Sequence, residues 1–337
     1  MRTQTIILTG ALLLASEVTQ ARVWRVNRDG YSANYTGINA LVTAINDVDS
    51  VQAGDTLHVE PSPNPYTGVT LDRQLVILGP GYFLSENVTP QLQQNTWYAY
   101  VDFIAIPNGI SNNGTLISGI YAGNIVIGAS DITIDRCRMT NVGIQQANAT
   151  ADGITIKRCF VDDEFYQQYV GGATPNVAIT NLLISNCYFG GPFTLWPNQL
   201  GTVTQCVMNS NVSVHGQLFT RNIVRGGTTF QNNVNSIINM AANIFYNNPG
   251  TWLDDGTNHR NQDVTQFFPS TGSTDGKLNT TGLCSLCATH SIGMIYGTDP
   301  YDLSGIPNIP TIYALSAQPT VTQGEVLPVI ISTRSND

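Results

Sequence analysis

Apolar and polar residues alternate in short runs through the middle of the chain, and one phrase keeps returning. It reads Ile132-Thr-Ile-Asp-Arg-Cys137, Ile154-Thr-Ile-Lys-Arg-Cys159, Leu182-Leu-Ile-Ser-Asn-Cys187 and Gly201-Thr-Val-Thr-Gln-Cys206, at intervals of 22, 28 and 19 residues. Two further copies, Gln217-Leu-Phe-Thr-Arg-Asn222 and Ile238-Asn-Met-Ala-Ala-Asn243, carry asparagine in the cysteine position. A strand-turn unit of this length cannot bury its apolar face alone and must stack on its neighbours, which is the mark of a solenoid. Shorter apolar runs lie between the long ones, at Val142 to Ile144, Pro192 to Leu195, Val212 to Val214 and Thr228 to Phe230, and predict a second sheet. Turns are expected at Asn141, Asp162, Gly190, Asn209 and Gly226, three or four residues beyond each ladder position.

Strict alternation puts Ile132, Ile134 and Arg136 on one face and Thr133, Asp135 and Cys137 on the other. A bend or bulge must therefore intervene if the cysteines point inward. The preferred reading is an internal ladder of small thiols, Cys137, Cys159, Cys187 and Cys206, continued by Asn222 and Asn243. Disulfides between adjacent rungs are the alternative, since a strand spacing of about 4.8 Å suits them.

Upstream of the coils, Arg22 to Val26 has strand character, and Tyr35 to Asn46 spaces Ile38, Leu41, Val42 and Ile45 as an amphipathic helix does. Ala53-Gly-Asp-Thr-Leu-His-Val-Glu60, a proline-rich turn to Tyr66, Gly68 to Leu71 and Leu75-Val-Ile-Leu-Gly-Pro-Gly81 follow. This opening resembles that of right-handed parallel β-helix proteins of the pectin-lyase-like group, in which such a helix caps the first coil. The tail phrases Gly293-Met-Ile-Tyr-Gly-Thr-Asp-Pro-Tyr301 and Leu303-Ser-Gly-Ile-Pro-Asn-Ile-Pro-Thr-Ile-Tyr313 resemble the ends of uncharacterised secreted bacterial β-helix proteins. The resemblance implies fold and export, with no settled activity. The expected fold is all-β: a right-handed parallel β-helix with a short N-terminal capping helix and an irregular C-terminal tail. About nine or ten coils would form a rod about 45 Å long.

Residues 1–21 read as an export signal, with Arg2, an apolar run from Ile6 to Ala15 and cleavage after Thr19-Gln20-Ala21. Residues 22–270 form the β-helix and 271–337 a closing segment packed on it. The run of ten apolar residues is too short to span a bilayer, and no second long apolar stretch follows, so the mature chain has no transmembrane segment. The destination is extracellular space or the cell surface, with the periplasm as the alternative.

The chain has 337 residues, of which 42% are hydrophobic and 11% charged, with 31 glycines, a composition suited to short strands and turns. A net charge of −9 and only two lysines, Lys157 and Lys277, exclude a nucleic-acid partner, because phosphate binding draws on clustered cations. The remaining partners are surface polysaccharide or further copies of the chain.

No catalytic set is recognisable. A resemblance to galacturonan hydrolases would imply Asn-Thr-Asp, Asp-Asp, Gly-His-Gly and Arg-Ile-Lys on neighbouring coils, whereas the chain has Val214-His-Gly216 and Leu253-Asp-Asp-Gly256 in the wrong order. The weak catalytic candidates are Asp162, Asp163 and Glu164 near Lys157 and Arg158, and Asp254 and Asp255 near His259 and Asp263. The first trio could alternatively hold Ca²⁺ or be a solvated turn. Cys284 and Cys287 suggest a local disulfide rather than a metal site, since no second ligand pair follows. The aromatic residues Trp97, Tyr98, Tyr100, Tyr166, Tyr169 and Trp196 offer either a stacking platform for sugars or packing of loops onto the rod. The reading is an exported scaffold or adhesin that assembles or binds glycan; a polysaccharide lyase or glycoside hydrolase is the alternative.

Overall fold

The computed structural model describes residues 21–84, 95–108, 112–144, 151–167, 178–196, 198–215, 217–226, 228–230, 239–241, 244–245, 258–259, 285–317, 320, 324 and 326–334. They form a parallel β-helix, with stacked coils contributing to a 12-stranded and a 13-stranded sheet whose pairings are parallel throughout. The helix Ala40–Asn46 covers the first coil and buries Ala40, Leu41, Ala44 and Ile45. It begins later than the apolar spacing predicts. Ile38 precedes it and is 60% exposed, because Tyr35–Thr36 is drawn instead onto the edge of strand Val23–Asn27.

The first sheet stacks Val23–Asn27, Thr56–Val59, Val76–Leu78, Leu116–Ser118, Thr133–Asp135, Thr155–Lys157, Ile179–Ser185, Gln199–Thr204, Leu218–Thr220 and Asn239–Ala241. Its central residues Leu57, Ile77, Ile117, Ile134, Ile156, Ile184, Val203 and Phe219 are fully buried and form one row through the core. The chain then turns through a single left-handed residue in each coil: Arg136, Arg158, Asn186, Gln205 and Arg221, with φ between 50° and 55°. This residue supplies the required bend. It reverses the alternation, so that Cys137, Cys159, Cys187, Cys206 and Asn222 point inward with no exposed surface. The four thiols are free. Each donates to the carbonyl two residues back, at 3.4 Å for Cys137 and 3.1 Å for Cys159 and Cys187. Burial pushes the thiols of Cys137, Cys159 and Cys187 well above the ordinary cysteine range, which keeps them protonated and inert. Asn222 has its own hydrogen bonds: its Oδ1 accepts from Cys206 N at 2.8 Å and its Nδ2 donates to Val203 O at 3.0 Å. Asn243 lies outside the described residues.

The second sheet begins with long strands, Tyr100–Ile106, Tyr121–Ile127 and Arg138–Ile144, and then forks. Arg138 and Met139 pair with Phe160–Val161, while Val142 to Ile144 pair with Phe165–Gln167. Two columns of short strands continue from there. The expected turn at Asn141 is therefore corrected: Asn141 lies inside Arg138–Ile144, where its Nδ2 donates to Asn124 Oδ1 at 2.9 Å. The fork opens one coil later, at Asp162 to Glu164, and the wider interior beyond it is filled by Phe165, Phe189 and Phe193.

The chain returns from the far end as a strap over the left-handed turns, running against the order of the coils. Gly293 N donates to Arg221 O at 2.9 Å, and Asn186 Nδ2 to Met294 O and Tyr296 O at 3.0 and 2.7 Å. Lys157 Nζ and Arg158 Nη1 both meet Asp299, and Arg136 Nη1 donates to Ile306 O at 2.5 Å. Pro307 rests on Gly119, where a Cβ would collide with its ring. Beneath the strap, Ile292, Met294 and Tyr301 bury the outward side chains Phe160, Tyr188, Val207 and Ile223 in a second apolar cluster outside the coils. The start of the strap is held by Cys287, which is buried and disulfide-bonded; Cys284 lies outside the described residues. So do residues 260–284, on which the boundary near 270 falls. Beyond the strap, Thr311–Ala317 and Val329–Arg334 form an antiparallel two-stranded hairpin. Among the described residues no helix is long and apolar enough to cross a membrane.

Candidate functional site

The outward residue that follows each inward ladder position forms a column in register: Tyr100, Tyr121, Arg138, Phe160 and Tyr188, continuing to Val207 and Ile223. The strap covers the later half, and the earlier half ends in an open cleft. Its lining is Ser62, Pro63, Asn64, Pro65, Trp97, Tyr98 and Tyr100, around a volume of about 130 Å³.

The cleft follows from the local sequence. Residues 62–66 run beside 98–102 as an added rung, with Ser62 N donating to Tyr98 O at 3.2 Å and Tyr66 N to Tyr100 O at 2.7 Å. Between them Pro63 and Pro65 have no N–H to donate, so the rung is interrupted where the cleft lies. One wall is fixed by Asp29, whose Oδ1 accepts from Ser62 Oγ at 3.1 Å and Asn64 Nδ2 at 3.4 Å. Arg28 Nε holds the Pro65 carbonyl at 2.6 Å, and the buried Tyr66 donates its hydroxyl to Glu60 O at 2.8 Å. Burial, first of all, raises the Tyr66 phenol far above its ordinary value, so it stays a neutral donor.

The other wall is aromatic. Trp97 is 52% exposed, Tyr98 36%, and Tyr100 is half-buried. Tyr98 and Tyr100 stand edge-on to Tyr121, with ring centroids 5.3 and 4.9 Å away. Arg138 lies over the rings of both Tyr121 and Phe83, 4.5 Å from each centroid. Its guanidinium is gripped by both oxygens of Asp162, at 2.9 and 3.0 Å. Asp162, Arg138, Tyr121 and the two cleft tyrosines thus form one chain of contacts.

The remaining sequence candidates lie elsewhere. Asp163 and Glu164 continue the fork, where Asp163 N donates to Thr140 O at 2.9 Å and Glu164 N to Asn141 Oδ1 at 3.1 Å. Among the described residues no three His, Cys, Asp or Glu side chains come together as a metal site. Tyr166 packs over Gly143, and Trp196 stacks on His215 at 6.2 Å; neither lines the cleft. Burial lowers the His215 pKa below the usual histidine range. Tyr169, Asp254, Asp255 and Asp263 lie outside the described residues. Sequence reasoning missed Ser62, Asn64, Tyr121 and Arg138. The signal was available for the last two: an outward position that stays aromatic or apolar from coil to coil implies that something covers it or binds it.

The comparisons add no name. The chain matches no family model, no curated protein and no solved structure.

Proposed function

We propose that this chain is an exported scaffold whose rod presents a binding site for a neutral glycan at Trp97, Tyr98 and Tyr100. The observation that carries this reading is an exposed aromatic wall facing hydroxyl and amide groups across an open cleft on a rigid support. Aromatic faces take the C–H faces of a pyranose ring, and Ser62, Asn64 and the tyrosine hydroxyls suit sugar hydroxyls. The lining contains no cation for an acidic sugar, and a net charge of −9 opposes a polyanion. It contains no carboxylate either. The alternative, glycoside hydrolysis, calls for a carboxylate pair across the scissile bond, and the acids linked to the lining are engaged, Asp29 by Ser62 and Asn64 and Asp162 by Arg138.

Calorimetric titration of residues 22–337 with neutral and acidic oligosaccharides tests the reading, alongside a reducing-end assay. Binding of a neutral oligosaccharide without shortening is expected, and Trp97→Ala should weaken it about 10- to 100-fold, a loss of about 1.4–2.8 kcal/mol. New reducing ends would transfer the site to the hydrolase alternative.

The terminal hairpin favours a second role, association with another copy. An isolated two-stranded sheet is marginal in water. Here Leu315, Val329, Ile330 and Ile331 are 48–67% exposed, and among the described residues neither strand pairs with a third. Thr311 to Ala317 and Val329 to Thr333 carry no charge, so two copies meet edge to edge without repulsion. Light scattering should show a dimer or larger species that Ile330→Lys returns to monomer; a monomer at all concentrations removes this role.

A further inference from the structure

Beside the first described strand lies a carboxylate that no side-chain cation contacts. Asp55 is 2% exposed, and all of its hydrogen-bond donors are neutral. Its Oδ1 accepts from the backbone nitrogen of Arg22 at 2.7 Å, and its Oδ2 from Trp24 Nε1 at 2.7 Å and Gln52 N at 2.9 Å. Among the described residues no Lys, Arg or His side chain forms an ion pair with it. The Arg22 guanidinium favours the carboxylate only from beyond ion-pair distance, and a buried carboxylate with no cation in contact is costly. The donor to Oδ1 is the nitrogen of the residue that follows Ala21, where the leader is expected to end. The same residue is locked into the first sheet, with Thr56 N donating to Arg22 O at 2.8 Å.

We propose that the chain is hydrolysed between Ala21 and Arg22 and that the new α-ammonium of Arg22 is the counter-ion of Asp55. One water is consumed: the amide C–N bond breaks, hydroxyl adds to the Ala21 carbonyl carbon and the remaining hydrogen goes to the Arg22 nitrogen; at neutral pH the new carboxyl group releases its proton, leaving a carboxylate on Ala21 and an ammonium on Arg22. The neutral N–H···carboxylate contact becomes a charge-assisted one, which is about twice as strong. Processing then does more than remove a leader: it places a positive charge in direct contact with Asp55. The inference rests on the export reading above, and the two are tested separately.

Protein recovered from an exporting bacterium, given its own leader, should have an intact mass and an N-terminal sequence that begin at Arg22; a different start overturns the proposal. Independently of export, a chain released from a fusion so that it begins at Arg22 is compared with one that retains Ala21. The Arg22 chain should melt about 1–2 °C higher at pH 6, the shift that about 1 kcal/mol gives at an unfolding entropy of about 2.1 cal/mol/K per residue. The ammonium has a raised pKa in the folded state. Its contribution is therefore complete below the unfolded value of about 7.7–8.0 and fades as pH rises through the folded value. The gap between the two chains should close at high pH and be absent in Asp55→Asn. Equal melting temperatures at pH 6, or a gap that persists in Asp55→Asn, would overturn the ion pair even if the leader is cut at Ala21. Asp55 adds a limb on the acid side. Burial alone would raise its pKa, but the donors Arg22 N, Trp24 Nε1 and Gln52 N, with the more distant Arg22 charge, outweigh that and hold it below the ordinary carboxylate value. Its contribution is present above an unfolded pKa of about 3.9 and lost as pH falls through the lower folded value.

Discussion

Replacing Phe189 with alanine is expected to lower the unfolding free energy by about 3–5 kcal/mol, the range for removing a buried phenylalanine. The side chain has no exposed surface. It meets Phe193 at 4.9 Å and Phe165 at 6.2 Å between ring centroids, both edge to face, and Phe165 and Phe193 lie 5.0 Å apart. These three rings fill the interior where the second sheet has divided, so removing one leaves a cavity beside the other two. In a stacked array each coil is stabilised mainly by the two beside it. The cavity should therefore weaken the coils at Phe160–Val161 and Val207–Met208 together. Urea unfolding followed by circular dichroism measures the loss. Leu183→Ala, on the outer face of the first sheet and 36% exposed, is the control and should stay within about 0.5 kcal/mol. A cost below 1 kcal/mol for Phe189→Ala would mean that the rings do not share one packed interior.

The second large effect is expected at Arg158. Its Nε and Nη2 reach Asp135 Oδ1 and Oδ2 at 2.8 and 2.6 Å, and Nη1 reaches Asp299 of the strap. The Arg158 side chain is 9% exposed and that of Asp135 14%. Burial alone would lower the arginine pKa, but the Asp135 hydrogen bonds raise it, so it is a permanent cation. Arg158→Met leaves the Asp135 carboxylate uncompensated and should cost about 3 kcal/mol. Asp299 is 37% exposed and screened by solvent, so its loss alone should cost about 1 kcal/mol or less. Pairing Arg158→Met with Asp135→Leu should recover most of the deficit, because replacing both partners removes the stranded charge. A double-mutant cycle by urea unfolding measures this. Limited proteolysis between residues 291 and 307 should at the same time show the strap loosened in the single variant. Additive losses in the cycle would show that the two side chains act independently.

How far the sequence could be read depended on the distance over which each interaction acts. The inward rows of Ile and Val and the Cys137 to Asn222 ladder join residues one coil apart, and a repeat exposes such contacts directly. Alternation from Ile132 to Cys137 also requires a bend if the cysteine is to point inward, and the left-handed turn at Arg136 supplies it. The strap could not be read in this way. Arg136 meets Ile306 across 170 positions, through a carbonyl group that carries no side-chain signature. Asn141 was misplaced because the coil before the fork keeps one continuous strand where later coils have two. The aromatic wall was legible as Trp97, Tyr98 and Tyr100, but its partner was not. Ser62 and Asn64 oppose it only because two prolines interrupt an added rung.

The direction of the strap has a mechanical consequence. It meets the coil of Arg221 first and that of Gly119 last, so its outer end lies nearest the N-terminal cap. Tension applied at the C-terminus would load Pro307 and Ile306 first and then Asp299, Tyr296 and Gly293, one attachment at a time. The strap would peel as tape does, at low force and over a long extension, before any coil beneath it was pulled open. A rod tethered through its tail would thus carry its own shock absorber.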